Sequence, residues 1–121
     1  MKTNKLHELL AQVDDWRENY HTNKKGEVVF QNKQLYSNVK FTNMSLHEIQ
    51  KHPRGFELIP EAIENPDEIW SFWEDPKKQI VTMRNYIKLG YVIQTKDGVI
   101  IDAFAVPNSK MDRFRKGLPL N

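Results

Sequence analysis

The residue best suited to proton transfer is His52, in the stretch IQKHPRGFELIPEAIENPDEIW at residues 49–70. Its imidazole titrates near neutral pH, so it can act as a general acid or a general base. Pro53 disfavours the helical conformation for the residue before it, so a helix that precedes it must end by His52. The ring would then lie at a helix C-terminus, where the helix dipole favours its charged form. The position suits either a general acid or a cap that bonds the last carbonyls.

A second group of polar side chains falls on three β-prone runs, QIVTMRNYIK, YVIQTK and VIIDAFAV. Leu89-Gly90 and Asp97-Gly98 separate these runs and predict two tight turns, and therefore an antiparallel three-stranded meander. The register of two-residue turns would place Arg84 opposite Thr95 and Ile93 opposite Asp102. One face of this sheet is mostly apolar and is predicted to pack against helices. The other carries Arg84, Tyr86, Thr95 and Asp102, either as a site or as an ordinary solvated face.

The elements before the meander are mostly helical. Apolar residues at spacings of three and four predict an amphipathic helix over residues 4–21, and a β-prone stretch follows with a turn near Asn32-Lys33. Ser45 and Glu48 suggest a capping box that opens a second helix. Leu58, Ile59, Ala62 and Ile63 suggest a third helix, which Asn65-Pro66 ends, and the aromatic residues from 69 to 73 are predicted to be core. The predicted fold is α+β, with N-terminal helices packed on one face of a small twisted antiparallel sheet.

Charge and composition restrict the classes of function. The chain has 121 residues, which predicts a single domain over 1–121, and a net charge of +2. Residues 57–75 hold acids and no base, whereas the stretch NSKMDRFRKG is basic through Lys110, Arg113, Arg115 and Lys116. A basic end suits contact with a polyanion, although a solvated charged surface has the same composition.

Several kinds of site and partner are not expected. The absence of cysteine excludes disulfides and thiolate metal sites. His47 and His52 lie five residues apart, which does not bring two side chains together on a helix, and no third ligand is evident, so we predict no metal site. No apolar run approaches the ~20 residues of a membrane span, so no membrane partner is predicted.

Three of these segments carry a family resemblance. LHEIQKHPRGFELIPEAIENPDEIW, RNYIK and NSKMDRFRKG together resemble the phage and polymorphic-toxin branch of the barnase–EndoU–colicin E5/D–RelE-like ribonucleases. The resemblance covers roughly residues 41–117, the nuclease-like core, and residues 1–40 are expected to be a variable entry segment with a helix and β-prone stretch. Its most specific parts are the two histidines and IPEAIENPDEIW at 59–70. The resemblance implies a barnase-like fold and RNA cleavage that needs neither a metal nor a small-molecule cofactor.

The resemblance also implies roles for the residues already singled out. His52 would transfer a proton, and Arg84 would offer its forked donors to the phosphate. Tyr86 would donate a hydrogen bond or stack a base, and Thr95 would hold a phosphate oxygen. Asp102 would orient His52 or act as the partner base, although the family more often has Thr or Ser near this place. RNA-binding residues are expected to be Lys88, Lys110, Arg113, Arg115 and Lys116.

Two functional hypotheses follow from the sequence. The first is a ribonuclease toxin domain that cleaves RNA, most plausibly tRNA, in the bacterial cytoplasm, delivered as the C-terminal part of a larger toxin or phage protein. Such a domain requires a cognate immunity protein, and its acidic segment 57–75 is not expected to contact RNA. The second is a non-catalytic phage or secretion-system accessory domain that keeps the nuclease fold. An immunity protein fits poorly, because such proteins are usually strongly acidic.

Overall fold

The computed structural model describes residues 21–22, 28–32, 37–49, 58–74 and 77–120. The helix predicted over residues 4–21 lies almost entirely outside these ranges, and so does His52. The elements, in chain order, are β1 (His21–Thr22), β2 (Val28–Asn32), β3 (Ser37–Phe41), α1 (Asn43–Ile49), α2 (Ile59–Glu64), β4 (Glu68–Glu74), β5 (Lys77–Asn85), β6 (Leu89–Lys96), β7 (Val99–Pro107), a 3-10 helix (Asn108–Phe114) and β8 (Leu118–Pro119).

The strands form one eight-stranded sheet in the order β1-β2-β3-β7-β6-β5-β4-β8. Most neighbours are antiparallel, and β3 meets β7 in parallel at the pair Lys40 and Val99. The α+β class and the antiparallel meander β5-β6-β7 are confirmed. The prediction of a small sheet is wrong, because the β2-β3 hairpin joins the meander on one side. On the other side the segment EIWSFWE, whose aromatic residues were predicted to be core, forms strand β4.

Helix α1 begins with a capping box three residues earlier than predicted. The Thr42 hydroxyl accepts a hydrogen bond from the Ser45 amide, and the Ser45 hydroxyl accepts one from the Thr42 amide. Ser45 therefore occupies the third helical position and Thr42 is the N-cap. The Ser45 hydroxyl also donates to the carbonyl of Ile100 in β7. This bond ties the start of α1 to the sheet, so the capping residues also fix where the helix packs.

One face of the sheet packs against both helices. Its buried cluster takes residues from β2, β3, β6, β7, α1 and α2, with Tyr86 and Leu58 packed at its margin. Its members are Val28, Phe30, Val39, Phe41, Leu46, Ile49, Ile59, Ala62, Ile63, Tyr91, Ile93, Ile100 and Ala103. These side chains are almost completely removed from water. Burial of each large aliphatic or aromatic side chain stabilises the fold by roughly 1.5–3 kcal/mol. The helices are thereby held against β6 and β7, and β6 pairs with β5, the strand that carries Arg84.

The opposite face packs under the 3-10 helix and carries a second, smaller cluster. Val81, Met83 and Val92 are buried there with Met111 of the 3-10 helix. A Cβ on Gly90 would lie 2.2 Å from the Met111 sulfur, so a larger residue there would have to displace the flexible end of the Met111 side chain. We predicted that the Val81 and Met83 face would pack against the α-helices and that the Arg84 face would be open. That prediction is wrong, because both faces of the sheet carry a buried apolar cluster. The alternation of side chains shows that two faces exist but does not show which one the α-helices cover.

The two hairpin turns differ from each other. Asp97-Gly98 forms the predicted turn, with positive φ at both residues and with Lys96 opposite Val99. The first turn falls two residues earlier than predicted, at Ile87-Lys88, where the Tyr86 amide donates to the Leu89 carbonyl. A β-bulge then shifts the register of β6 and β7 between Gln94 and Thr95. These two differences decide which polar side chains can meet.

Candidate functional site

Arg84 and Tyr86 meet on a carboxylate that the sequence analysis had not selected. Arg84 Nη2 lies 3.0 Å from Glu61 Oε1, and the Tyr86 hydroxyl donates to Glu61 Oε2 at 3.1 Å. Arg84 Nη1 also donates to the carbonyl of Asn65, at the end of α2, at 2.5 Å. Alternation along β5 places both residues on the helix-covered face, and α2 brings its first-turn glutamate over them. We call Glu61, Arg84 and Tyr86 the Glu61 cluster.

The Glu61 cluster is partly open to solvent. The Glu61 side chain is 48% exposed and the Arg84 side chain 29% exposed. Burial, reinforced by the hydrogen bond to Glu61, raises the pKa of the Tyr86 phenol above its usual value of 10. Tyr86 therefore keeps its proton at neutral pH and acts as a hydrogen-bond donor. The cluster thus combines an acceptor carboxylate, a forked cation and a neutral phenol within hydrogen-bond reach, all accessible from the same side.

The backbone between Arg84 and Tyr86 is fixed from β4. The Asn85 amide donates to Asp67 Oδ2 at 2.6 Å, and its side-chain amide donates to Glu68 Oε2 at 3.1 Å. The Asp67 amide in turn donates to the carbonyl of Met83. Asn85 is thus a structural residue on the opposite face of the strand. These contacts set the positions of the two functional side chains that flank it.

Thr95 does not join the cluster. Because the first turn falls two residues earlier than predicted, Arg84 pairs with Tyr91. Thr95 lies four residues further along β6, which is about 13 Å from Tyr91. Thr95 is buried, and its hydroxyl donates to the carbonyl of Ile80 at 3.0 Å. The prediction that Thr95 lies opposite Arg84 is wrong, because the turn uses Ile87-Lys88. Its hydroxyl stabilises the sheet.

Asp102 lies on the other face of the sheet from the Glu61 cluster. The bulge leaves Ile101 without a partner, so Asp102 pairs with Gln94 instead of Ile93. A one-residue shift moves a side chain to the opposite face. One carboxylate oxygen accepts the amide of Ala103 at 2.9 Å. The predicted placement beside Tyr86 is therefore wrong, because turn residues do not reveal a bulge inside the strands.

The basic tail divides into one buried contact and several exposed side chains. Arg115 binds Glu68 with two parallel bonds, from Nε at 2.7 Å and from Nη2 at 2.9 Å, and contacts Asp112 at 2.5 Å. This ion pair docks the end of the 3-10 helix on β4, and Arg115 is engaged with Glu68 and Asp112. The other predicted RNA-binding residues are exposed: Lys88, Lys110, Arg113 and Lys116. Lys116 lies 6.0 Å above the Phe72 ring centroid.

Arg115 and Glu68 perturb each other's titration strongly. Hydrogen bonds from Arg115, with smaller contributions from Asn85 and Trp70, lower the pKa of Glu68 to about 2. The same pair raises the pKa of Arg115 above its usual range. Both groups therefore remain charged over the whole physiological range. The acidic segment 57–75, which was not expected to contact RNA, thus supplies carboxylates to the basic residues on both faces of the sheet.

Among the residues that the structure describes, no hydrogen bond or ion pair joins a histidine to the Glu61 cluster. His47 is exposed on α1, and His52 lies outside the described residues, in the connection between α1 and α2. Its proton-transfer role remains a prediction. In the described part of the chain, no group of three or more His, Asp or Glu side chains could hold a metal ion. No helix in the same ranges is long and apolar enough to cross a membrane.

Glu61 is the residue of the candidate site that sequence reasoning missed. It belongs to the segment 57–75, which has many acids and no bases and was not expected to contact RNA. The available signal was electrostatic, because the acidic side chains of α2 and the basic side chains of β5 attract each other. That signal does not say which of the several carboxylates faces the strand, and the packing of Ile59, Ala62 and Ile63 decides it.

Comparison with known proteins gives one match. A protein-family model described as phage-Barnase-EndoU-ColicinE5/D-RelE like nuclease 2 matches residues 5–120. This confirms the resemblance drawn from the sequence, and it extends over residues 5–40, which that resemblance had left unmatched. No curated protein and no solved structure matches the chain.

Proposed function

Because the chain belongs to the phage-Barnase-EndoU-ColicinE5/D-RelE like nuclease 2 family, we propose that it is an endoribonuclease whose site is built on the Glu61 cluster. The observation that carries this proposal is the convergence of Arg84 Nη2 and the Tyr86 hydroxyl on the two oxygens of one carboxylate. Donors that converge on two oxygens of one anionic group are also spaced to bind two oxygens of a phosphodiester.

In the proposed reaction the ribose 2′-oxygen attacks the neighbouring phosphorus. Glu61 accepts the 2′-hydroxyl proton, the bond from the 2′-oxygen to phosphorus forms, and the bond from phosphorus to the 5′-oxygen breaks. His52 is proposed to protonate the leaving 5′-oxygen, which completes the transfer. The products are a 2′,3′-cyclic phosphate and a 5′-hydroxyl end. DNA lacks the nucleophile, so the same site cannot cleave it by this route.

Arg84 and Tyr86 stabilise the charge that develops on the phosphorane. The guanidinium has five donors, more than its described contacts with Glu61 and Asn65 use, so it can bind the phosphate while it stays anchored. The neutral Tyr86 phenol has a single O–H donor, which we propose turns from Glu61 to a phosphorane oxygen during the reaction. A fixed cation supplies the charge stabilisation that a metal ion supplies in other nucleases. We therefore propose cleavage that does not depend on a metal ion.

The biological role is proposed from the family resemblance. We propose a toxin domain that acts on tRNA in the bacterial cytoplasm, neutralised in its producer by a cognate immunity protein. Sequencing of RNA ends after induction in cells tests the target. Cleavage distributed over all RNA classes would contradict the choice of tRNA, and cuts concentrated at one tRNA position would support it.

The activity itself is tested with purified protein. Total RNA is incubated with the chain in excess chelator, beside Arg84→Ala and His52→Ala variants. We expect discrete fragments with 2′,3′-cyclic phosphate ends from the parent chain and at least about 100-fold less from either variant. RNA that stays intact with every protein would favour the non-catalytic accessory domain. Cleavage only after addition of a divalent metal would refute metal independence.

A further inference from the structure

Beside the Glu61 cluster the sheet carries an uncovered apolar strip. Leu89 pairs with Pro107, and Tyr91 pairs with Ala105. Leu89, Ala105 and Pro107 are exposed, whereas Tyr91, one position further into the sheet than Leu89, is fully buried. The helix-covered face is therefore open to solvent at these three positions. We call Leu89, Ala105 and Pro107 the apolar shelf.

The apolar shelf lies on the same face as the Glu61 cluster. Arg84, Tyr91 and Ala105 form one lateral row across β5, β6 and β7. Two strand spacings separate the ends of this row, which places Ala105 about 10 Å from Arg84. Leu89 is nearer, because it lies on the middle strand, one row further out. A nucleotide whose phosphate contacts Arg84 can thus place its base over the shelf.

A rigid turn borders the shelf. Asn108 Nδ2 donates to the carbonyls of Tyr86 at 3.2 Å and Ile87 at 2.9 Å, so it clamps the Ile87-Lys88 turn from outside. Positive φ occurs, within the described ranges, only at Asp97, Gly98 and Gly117, so this turn lacks the conformation that closes most two-residue hairpins. Ile87 is nonetheless held at its tip with 94% of its surface exposed.

The charges around the shelf favour a polyanion. The stretches YIKLGY at 86–91 and AFAVPNSKM at 103–111 contain Lys88 and Lys110 and no acid. Neither lysine forms an ion pair with any residue that the structure describes. Asp97 is at the far turn, and Asp102 is on the other face. An apolar surface that adjoins Lys88 matches a nucleotide, with an apolar base and a charged phosphate.

We propose that the apolar shelf is a subsite for an unpaired nucleobase next to the scissile phosphate, with Lys88 on the adjoining phosphate. This inference rests on the proposed function and names the substrate class as single-stranded RNA. Three small to medium side chains offer far less than the ~800 Å² that a stable protein partner covers on each side. A base needs only one face, and pairing in a duplex would remove that face from reach.

The experiment measures binding without cleavage. The probe is a fluorescent seven-nucleotide RNA with 2′-O-methyl groups, which block the attacking oxygen, and anisotropy gives its Kd. Its counterparts are the same strand in a duplex and the same strand with one abasic position, moved along the sequence. We expect the duplex and one abasic strand to bind at least about fivefold more weakly than the intact single strand.

Two variants connect that loss to the shelf. Leu89→Ser is expected to weaken binding of the intact strand about fivefold and to leave the most affected abasic strand unchanged. Leu118→Ser is the control, because it removes a leucine that is 71% exposed on β8, an edge strand three positions from β6 in the sheet. This variant should bind like the parent. If Leu89→Ser fails to fold by circular dichroism, Ile87→Ser takes its place, because Ile87 is almost fully exposed.

The outcomes separate this inference from the proposed function. Equal binding of the intact and all abasic strands, or of duplex and single strand, overturns the base subsite. Unchanged binding in the folded Leu89 or Ile87 variant overturns its location. Base-dependent binding by a parent chain that leaves unmodified RNA intact would refute the endoribonuclease and support the shelf.

Discussion

At the scale of single residues, Glu61 decides how the site works. The same carboxylate holds Arg84 and Tyr86 in place and is the base proposed for the reaction. It is half exposed, and the exposed part of an ion pair contributes little to stability, about 0–1 kcal/mol. Removing its charge should therefore affect catalysis far more than folding, which makes the two roles separable by measurement.

Glu61→Gln is expected to lower kcat for RNA cleavage about 10²- to 10⁴-fold, because an amide keeps the shape of the side chain and cannot accept the 2′-hydroxyl proton. Its Tm should stay close to that of the parent. Glu64→Gln, at the other glutamate of α2, is the control and should cleave normally. A Glu61→Gln variant with normal kcat would remove Glu61 from the reaction.

Arg84→Lys tests whether the forked geometry matters or only the charge. Lysine keeps the positive charge but cannot contact Glu61, the Asn65 carbonyl and a phosphate from one rigid plane. We expect kcat/KM to fall at least about tenfold, with the loss mainly in kcat. Tyr86→Phe, which deletes one donor, should show a smaller loss. Full activity in both variants would exclude this edge of β5 from the mechanism.

At the scale of elements, the strand order and the bulge separate what the sequence predicts from what it does not. Alternation along β5 placed Arg84 and Tyr86 on one face, and Asp97-Gly98 marked a turn, and both predictions are confirmed. The prediction of which face the α-helices cover was wrong, because both faces of this sheet are apolar and covered. The bulge at Ile101 has no turn residue to mark it, so Asp102 was assigned to the wrong face.

The 3-10 helix is the element whose docking depends most on one charged pair. Glu68 has a pKa of about 2 in the folded chain against 4.5 for a free side chain, so its ionised form stabilises the fold. That stabilisation is complete above pH 4.5 and is lost as the pH falls toward 2. We expect Glu68→Gln to lower the free energy of unfolding by about 1–3 kcal/mol at pH 7.

Denaturant unfolding of the parent and Glu68→Gln at pH 7, 4 and 2.5 measures this dependence. The difference between them should be largest at pH 7 and should shrink toward the lowest pH. Asp112→Asn is the matched control, because it removes the other carboxylate that contacts Arg115. The Asp112 side chain is 88% exposed, so this change should lower the free energy of unfolding only slightly. A Glu68→Gln difference that is independent of pH would show that shape, and not charge, holds the helix.

At the scale of the whole molecule, a net charge of +2 conceals a division of the surface. Glu61 and Glu68 pair with Arg84 and Arg115. The lysines of the Ile87-Lys88 turn and the 3-10 helix are left at the surface. The exposed positive charge near the proposed site is therefore higher than the net value suggests, and affinity for RNA should depend on salt.

We expect the Kd of the uncleavable single strand to rise with salt between about 50 and 200 mM, with log Kd linear in the logarithm of the salt concentration. Lys110→Ala should make this slope shallower by about 0.7, the value for one phosphate contact on a single strand. Lys96→Ala, at the opposite end of β6 beside the Asp97-Gly98 turn, should leave the slope unchanged. Equal slopes for all three proteins would place the phosphate contacts elsewhere.

The single parallel contact between β3 and β7 has a consequence for the order of folding. The strands β4 to β7 follow one another in sequence and pair with their neighbours, so they can form by closing short loops. Lys40 and Val99 are far apart in the chain, and their contact must wait until the entropy of a much longer loop is overcome. The β2-β3 hairpin and α1 should therefore join a meander that already exists. A pulse-labelled refolding experiment should protect amides of β6 before those of β2, and α2, which directly precedes β4 in the chain, should bring Glu61 to Arg84 before that hairpin docks.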